Sequence, residues 1–236
     1  MPSHEEIYAR HAEGYEKLID GADCEGNILA QLQDICPAEG LDVVDLGAGT
    51  GRFARLLAPV AKSVTAVDRS PAMLAVTEAR LRASGLNNWR TVTGDHRSLP
   101  LPDRSADLIV SGWSVCYIAN SDVSGWRDHL AQTIAEIKRV LRPNGTIVLF
   151  ETLGTGTETP QAPDILRGYY DALKREYGFS HTWIRTDYQF EDGKEAEELT
   201  RFFFGNALAD RVAAGEFRKA GFVPEWAGVW WLRMWA

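Results

Sequence analysis

Along roughly the first 150 residues, short continuous apolar runs alternate with stretches whose apolar side chains recur every three or four positions. That alternation predicts strands and helices in turn. Ile7, Tyr8, His11, Tyr15, Leu18 and Ile19 share one face of a first helix. Ile28, Leu29, Leu32, Ile35 and Cys36 share a face of a second, which Pro37 and Gly40 end. Residues 41–46 read as an apolar first strand. Phe53, Leu56, Leu57 and Val60 fit a helix packed back on it, and residues 63–68 alternate as a second strand, completing a βαβ unit. Ser70 followed by Pro71 is a helix start, with a capping hydroxyl and a proline in the first turn, and Gly85 is the stop. Residues 89–93 form a third strand. Residues 106–111 form a fourth, a continuous apolar run of the kind that parallel sheets bury on both faces. Trp126, Leu130, Thr133, Ile134, Ile137, Val140 and Leu141 mark a long amphipathic helix, and Pro143-Asn144-Gly145 turns the chain into a fifth strand at residues 146–150.

Beyond residue 151 the rhythm breaks. Residues 152–163 are rich in Gly, Thr and Pro, and residues 164–177 carry another helical pattern, so an insertion over the site is expected. A polar-aromatic strand at 182–190, a helix from about 194 to 220 and a last strand at 223–234 would finish the sheet. Strands alternating with helices imply a doubly wound, mostly parallel α/β sheet of seven strands with helices on both faces. One domain is expected over residues 1–236. It would comprise an N-terminal helical cap at 1–40, a ligand-binding core at 41–151, the insertion at 152–183 on the acceptor side, and completion of the sheet at 184–236.

Composition narrows the classes of function. At 236 residues, 45% hydrophobic and 25% charged, the chain is an ordinary globular protein, and a formal net charge of −8 disfavours nucleic acid and anionic membrane as partners. Cys24, Cys36 and Cys116 show neither disulfide nor zinc-ligand spacing. No secretion signal or spanning apolar run is present, so a cytoplasmic location is expected.

The chemistry centres on Val43-Val44-Asp45-Leu46-Gly47-Ala48-Gly49-Thr50-Gly51-Arg52-Phe53, where a buried strand breaks into alternating glycines that allow close backbone approach to a ligand. A dinucleotide fingerprint would need a third glycine where Arg52 stands, and a phosphate-binding loop would need a Lys-Ser/Thr ending that is absent. In open α/β sheets, ligands bind beyond the carboxyl ends of the strands, the edge that collects Asp45, Asp68, Asp95 and Trp113. Asp68 stands where a ribose-binding acid belongs; the alternative is that it merely caps the next helix. Asp95, with His96 beside it, could accept from an adenine amine, or could simply make a turn. Met73 and Leu74 would wall an adenine slot or belong to the core.

These residues carry a family resemblance. Val44-Asp45-Leu46-Gly47-Ala48-Gly49-Thr50-Gly51 resembles the signature loop of class I S-adenosylmethionine-dependent methyltransferases, and residues 67–74 resemble that family's ribose-binding segment. Gly94-Asp95 through Leu99-Pro100, then residues 107–111, are similar to its adenine and fourth-strand segments, and residues 140–145 to the turn before its fifth strand. The resemblance covers residues 41–151 in order. It implies a Rossmann-like fold and S-adenosyl-L-methionine as methyl donor, with S-adenosyl-L-homocysteine as product. It places Asp45 and the backbone of Gly47, Ala48, Gly49 and Gly51 near the methionine moiety, Asp68 on the ribose and Asp95 on the adenine. Arg69, Met73, His96 and Ser111 join the expected cofactor contacts. The first helix is expected to close over the cofactor through Tyr15, with Tyr8 and His11 as lesser contacts.

Methyl transfer is a direct displacement, so the protein mainly holds the acceptor in line and excludes water. Where a proton must leave, His96, His11, Tyr117 or His181 could take it, and the residues single out none of them. Ser111-Gly112-Trp113-Ser114 departs from the Asn/Asp-Pro-Pro-Tyr/Phe pattern of nucleic-acid amino methylation, so a small-molecule acceptor is expected. No carboxylate cluster suggests a metal. Trp113 and Tyr117 could wall the acceptor pocket or belong to the core. Of Trp183, Trp226, Trp230, Trp231 and Trp235, at least some are expected to pack on the sheet. A non-catalytic cofactor-binding protein and an aminopropyltransferase on the same scaffold stay open as alternatives.

Overall fold

A computed structural model describes residue 6 and residues 11–234; Ile7, Tyr8 and Trp235 lie outside the described residues. Five strands follow the expected rhythm: β1 (Asp42–Leu46), β2 (Ser63–Asp68), β3 (Trp89–Thr93), β4 (Ala106–Gly112) and β5 (Leu141–Thr155). They pair in parallel, with Val43 opposite Val64 and Leu108, and Ile109 opposite Ile147. Two later strands, β6 (Ser180–Arg185) and β9 (Glu225–Arg233), add to that sheet, β9 antiparallel to both β5 and β6. The order β3-β2-β1-β4-β5-β9-β6 is the expected seven-stranded, mostly parallel sheet. Strand order reverses between β1 and β4, which opens a crevice at their carboxyl ends.

Helices cover both faces because the central strands are apolar on both. Val44, Leu46 and Ile109 point to one side, where they meet Ile134 and Ile137 of α5 (Trp126–Val140) and Tyr169 of α6 (Asp164–Arg175). Val43, Leu108, Val110 and Phe150 point to the other and meet Ile28 of α2 (Asn27–Ile35), Phe53 and Leu57 of α3 (Arg52–Leu57), and Leu81 of α4 (Pro71–Ala83). Ser70 caps α4 as expected, its hydroxyl accepting from the Met73 N–H at 3.3 Å. A third apolar cluster stands apart. It joins Leu18 of α1 (Ala12–Asp20), Tyr188 of β7 (Tyr188–Gln189), Leu199 of α7 (Gly193–Phe203), Leu208 of α8 (Asn206–Ala213) and Val223 of β8 (Phe222–Val223).

The differences from expectation fall mostly after residue 140. The fifth strand starts at Leu141 and absorbs the Pro-Asn-Gly turn as a register shift, with Asn144 at φ +65°. It also runs on to Thr155, so the first residues of the expected insertion lie in the sheet. The strand expected at 182–190 is two, because β7 leaves the main sheet to pair with β8. The helix expected at 194–220 breaks at Gly205, whose φ of +90° is outside helical space. Val60 lies beyond the end of α3 and is exposed. Among the described residues, no helix is long and apolar enough to cross a membrane.

Candidate functional site

A cavity of about 900 Å³ lies over the carboxyl ends of the strands. The glycine loop makes one wall. Gly47 and Ala48 donate their N–H groups to the Val67 carbonyl at 2.8 and 2.9 Å, folding the loop onto the end of β2. Gly49 N–H then donates to Asp68 Oδ2 at 2.8 Å, and Ser70 N–H to Oδ1 at 2.8 Å. The glycines are required. Gly47 has φ +74° and a Cβ there would run into the Ser114 side chain; Gly51 has φ +87° and faces Thr77 in the same way. A Cβ on Gly49 would sit 3.7 Å from Met73 Cε, filling the slot between the loop and α4.

Of the residues expected to hold a cofactor, Tyr15, Gly47, Ala48, Gly49, Asp68, Arg69, Met73, Asp95 and His96 line this one cavity. Asp45, Gly51 and Ser111 do not. Asp45 is 1% exposed and lies beneath the loop, accepting from the Ala54 N–H at 2.8 Å at the start of α3. Burial raises its carboxyl to about 7. Ser111 is buried and donates to the Leu46 carbonyl at 2.6 Å, tying β4 to β1. Gly51 begins α3 and packs on Thr77. Three expected contacts therefore shape the wall from behind.

Asp95 reaches the wall with its carboxylate clamped by Arg97 through two bonds of 2.8 Å, which hold it down to about 2. His96 Nε2 is 2.9 Å from Ser114 Oγ, and burial pushes the imidazole below its usual value. Of the expected proton acceptors, His96 and Tyr117 border the cavity, Tyr117 at an exposed rim. His11 and His181 do not; His11 packs edge-on against Phe202, and His181 stacks over Trp230.

Further lining comes from Arg52, next to the loop, and from more distant parts of the chain: Tyr15, Trp113, Thr155, Tyr188, Phe203, Phe204 and Glu225. Arg52 lies 4.6 Å from the centre of the Trp113 ring, within cation–π range. Glu225 is 3% exposed and burial raises it to about 7, against the lowering pull of Arg52. Behind Cys116, Glu151 accepts from the Cys116 N–H at 3.1 Å and the Tyr169 hydroxyl at 3.2 Å, and burial raises it to about 7 too. Neither acid was expected as a site residue. Their signal is a carboxylate next to a long apolar run, as with Asp45 and Asp68. The tryptophans divide as alternation requires: Trp230 is buried and stacks on Tyr170 at 4.4 Å, Trp231 packs into the opposite core, and Trp183 is exposed. Trp226 packs edge-on against Trp183.

A family model for a methyltransferase domain matches residues 44–149. Residues 44–149 are thus similar to a methyltransferase domain. A malonyl-[acyl-carrier protein] O-methyltransferase of Pectobacterium atrosepticum is 32% identical to the chain over 153 residues, 64% of this chain and 53% of that protein. A demethylmenaquinone methyltransferase of Tropheryma whipplei is 34% identical over 159 residues, 61% of this chain and 62% of that protein. The chain thus spans somewhat over half the length of these curated relatives, 53% and 62%. The YcgJ protein of Bacillus subtilis shares the fold, with a TM-score of 0.59 at 17% identity over 89% of this chain and 99% of its own. The glycine loop, Asp68 and Asp95 all fall inside the methyltransferase domain; Tyr15, Thr155, Tyr188 and Glu225 fall outside it.

The residues present fit the cofactor of such a domain. The slot between Gly49 and Met73 is one that a Cβ would fill, and Asp68 keeps lone pairs beyond its two backbone donors for a pair of ribose hydroxyls. Nothing in the loop supplies the lysine that a phosphate would need.

Proposed function

We propose that the protein transfers a methyl group from S-adenosyl-L-methionine to a small-molecule acceptor by in-line displacement. The observation that carries this reading is the bond from Gly49 N–H to Asp68 at the mouth of the Met73 slot, a phosphate-free adenosyl site. When bound, the cofactor supplies an activated methyl on a sulfonium. The chain's own part is to bind, orient and exclude water. Asp68 holds the ribose, Met73 and the loop flank the adenine, and Asp95 with Arg97 borders its outer edge. Tyr15 covers the cavity from α1, which is held down by Glu16 on Arg80 and by Asp20, 3.0 Å from the same guanidinium. The aromatic wall of Trp113, Tyr188, Phe203 and Phe204 suits an apolar or aromatic acceptor.

In this reading the chain works as one domain of cap, cofactor core, acceptor-side segment and sheet completion, the acceptor-side segment lying between the end of β5 at Thr155 and the start of β6 at Ser180. It is cytoplasmic, and neither nucleic acid nor membrane is its substrate. The net charge of −8 supports the last point. The alternative of aminopropyl transfer to a polyamine is disfavoured by Arg52, a cation already facing Glu225. A thermal-shift series with S-adenosylmethionine, S-adenosylhomocysteine and NAD tests the cofactor, since only a ligand of the folded state raises the midpoint. Both adenosyl compounds are expected to stabilise the protein; stabilisation by NAD alone would end this reading. Methyl-labelled cofactor incubated with cell extract should put label into small molecules, and label confined to protein or nucleic acid would refute the acceptor class.

A further inference from the structure

The acceptor end of the cavity holds a carboxyl that the fold does not require. Glu225 opens β9, is 3% exposed and lines the cavity beside Tyr15, Arg52, Thr155 and Tyr188. Its main chain is fixed independently of its side chain: Glu225 N–H donates to Asp187 Oδ1 at 2.9 Å, and Arg185 Nε donates to the same oxygen at 2.8 Å. The Thr155 hydroxyl donates to Glu225 Oε1 at 3.4 Å, and the Tyr188 hydroxyl bonds to the same carboxyl. A carboxylate offers about four lone-pair sites, so these two donors leave capacity on the cavity side. Holding two hydroxyls needs only an acceptor oxygen, which a glutamine would supply. A carboxyl at this place can also take up a proton, which a glutamine cannot.

We propose that Glu225 is the proton acceptor of the methyl transfer, receiving the proton of an acceptor hydroxyl or acidic carbon bound at the end of the cavity lined by Arg52, Trp113 and Tyr188. This rests on the methyltransferase reading above. For a hydroxyl, an oxygen lone pair forms the bond to the methyl carbon, and the S–C bond breaks with its electron pair going to sulfur. The O–H proton passes to Glu225, which releases it to water after the product leaves. The charged and titratable groups facing Glu225 set its strength. Burial pushes it up to about 7, Asp187 pushes the same way, and Arg52 and the bonds from Tyr188 and Thr155 pull it down. Tyr15 faces it from α1, with its own phenol raised mainly by burial. A base near the working pH combines a useful ionised fraction with useful driving force. Among the other candidates, His96 is engaged with Ser114 beside the glycine loop, and Tyr117 stands at the exposed rim.

Glu225→Gln and Glu225→Asp, each compared with the unaltered protein, test this. Carbon-13 NMR of glutamate-labelled, cofactor-free protein should show a carboxyl titrating near neutral pH that disappears in Glu225→Gln. With methyl-labelled S-adenosylmethionine and a metabolite extract, the initial labelling rate of Glu225→Gln should fall roughly 100- to 10,000-fold, the usual contribution of a general base. Glu225→Asp should recover part of that rate, and calorimetric affinity for S-adenosylhomocysteine should be unchanged in both. The unaltered protein's rate should rise with pH to a plateau, with an inflection that the Gln variant lacks. A Glu225 signal titrating in the ordinary carboxylate range, or a Gln variant within tenfold of normal rate, overturns the proposal. Should Glu225→Gln fail to fold, the titration of the unaltered protein, assigned by the signal missing from glutamate-labelled Glu225→Asp, decides alone. Absence of cofactor binding, or of any label from the unaltered protein, is the separate failure of the methyltransferase reading.

Discussion

The two walls of the cavity are made in different ways. The wall proposed for the cofactor is backbone and small residues at the ends of neighbouring strands, where Gly47, Ala48 and Gly49 donate to Val67 and Asp68. The wall proposed for the acceptor is side chains brought from α1, the start of α3, the residue after β4, the end of β5, β7, the end of α7 and the start of β9. A wall built from one short segment is specified by local sequence. A wall assembled from seven places in the chain depends on how the apolar clusters beneath it pack.

That contrast can be broken at the acceptor side first. Trp230 is 2% exposed and stacks on Tyr170, whose hydroxyl donates to the Thr152 carbonyl at 2.7 Å. Trp230→Ala should cost about 3–5 kcal/mol of stability, measured by urea denaturation. The folded fraction should still bind S-adenosylhomocysteine; a matching loss of cofactor affinity would mean that the walls are one unit. On the cofactor side, Asp68→Ala should weaken cofactor binding by about 1.5–3 kcal/mol, or roughly 10- to 150-fold, through its lost hydrogen bonds. Calorimetry giving unaltered affinity would remove Asp68 from the ribose. A pH dependence sharpens the comparison further. Glu151 is raised to about 7 when folded, against about 4.3 when unfolded. The folded state therefore keeps a proton that the unfolded chain gives up, and stability falls as pH climbs through that window, by up to about 1.4 kcal/mol per pH unit. Glu151→Gln should remove that share of the slope in denaturation midpoints at pH 5 and 7.5. An identical slope in the variant would show that Glu151 is already ionised in the fold. Asp95, held down to about 2 by Arg97, acts in the opposite sense, its stabilisation lasting above its unfolded value and fading only in acid.

How much of this was legible in the sequence follows the same division. β2 and β3 match the expected residues, because Ser63–Asp68 and Trp89–Thr93 lie between clear turn residues. The loop and Asp68 could be read because the chemistry there is written in consecutive glycines and an acid at a strand end. Asp45 and Ser111 lie in the expected segment but beneath the cavity lining. A strand pattern gives the period of its side chains, while the bonds of Asp45 to Ala54 and Ser111 to Leu46 depend on elements across the sheet. Residues 180–225 were read least well. Their single strand became two because Thr186 and Asp187 are drawn into bonds with Glu225, so that Tyr188 leaves the sheet for Val223. Glu225 stayed hidden for the same reason, since its meeting with Tyr188 and Arg52 is made by tertiary packing alone.

The small apolar cluster of Leu18, Tyr188, Leu199, Leu208 and Val223 touches neither face of the main sheet's core. A cluster with its own contacts can open and close at a free energy of its own, below that of global unfolding. Tyr188, Phe203 and Phe204 of the cavity lining belong to or pack on that cluster, so this share of the lining can loosen, or be redesigned, while the glycine loop stays anchored to the main sheet.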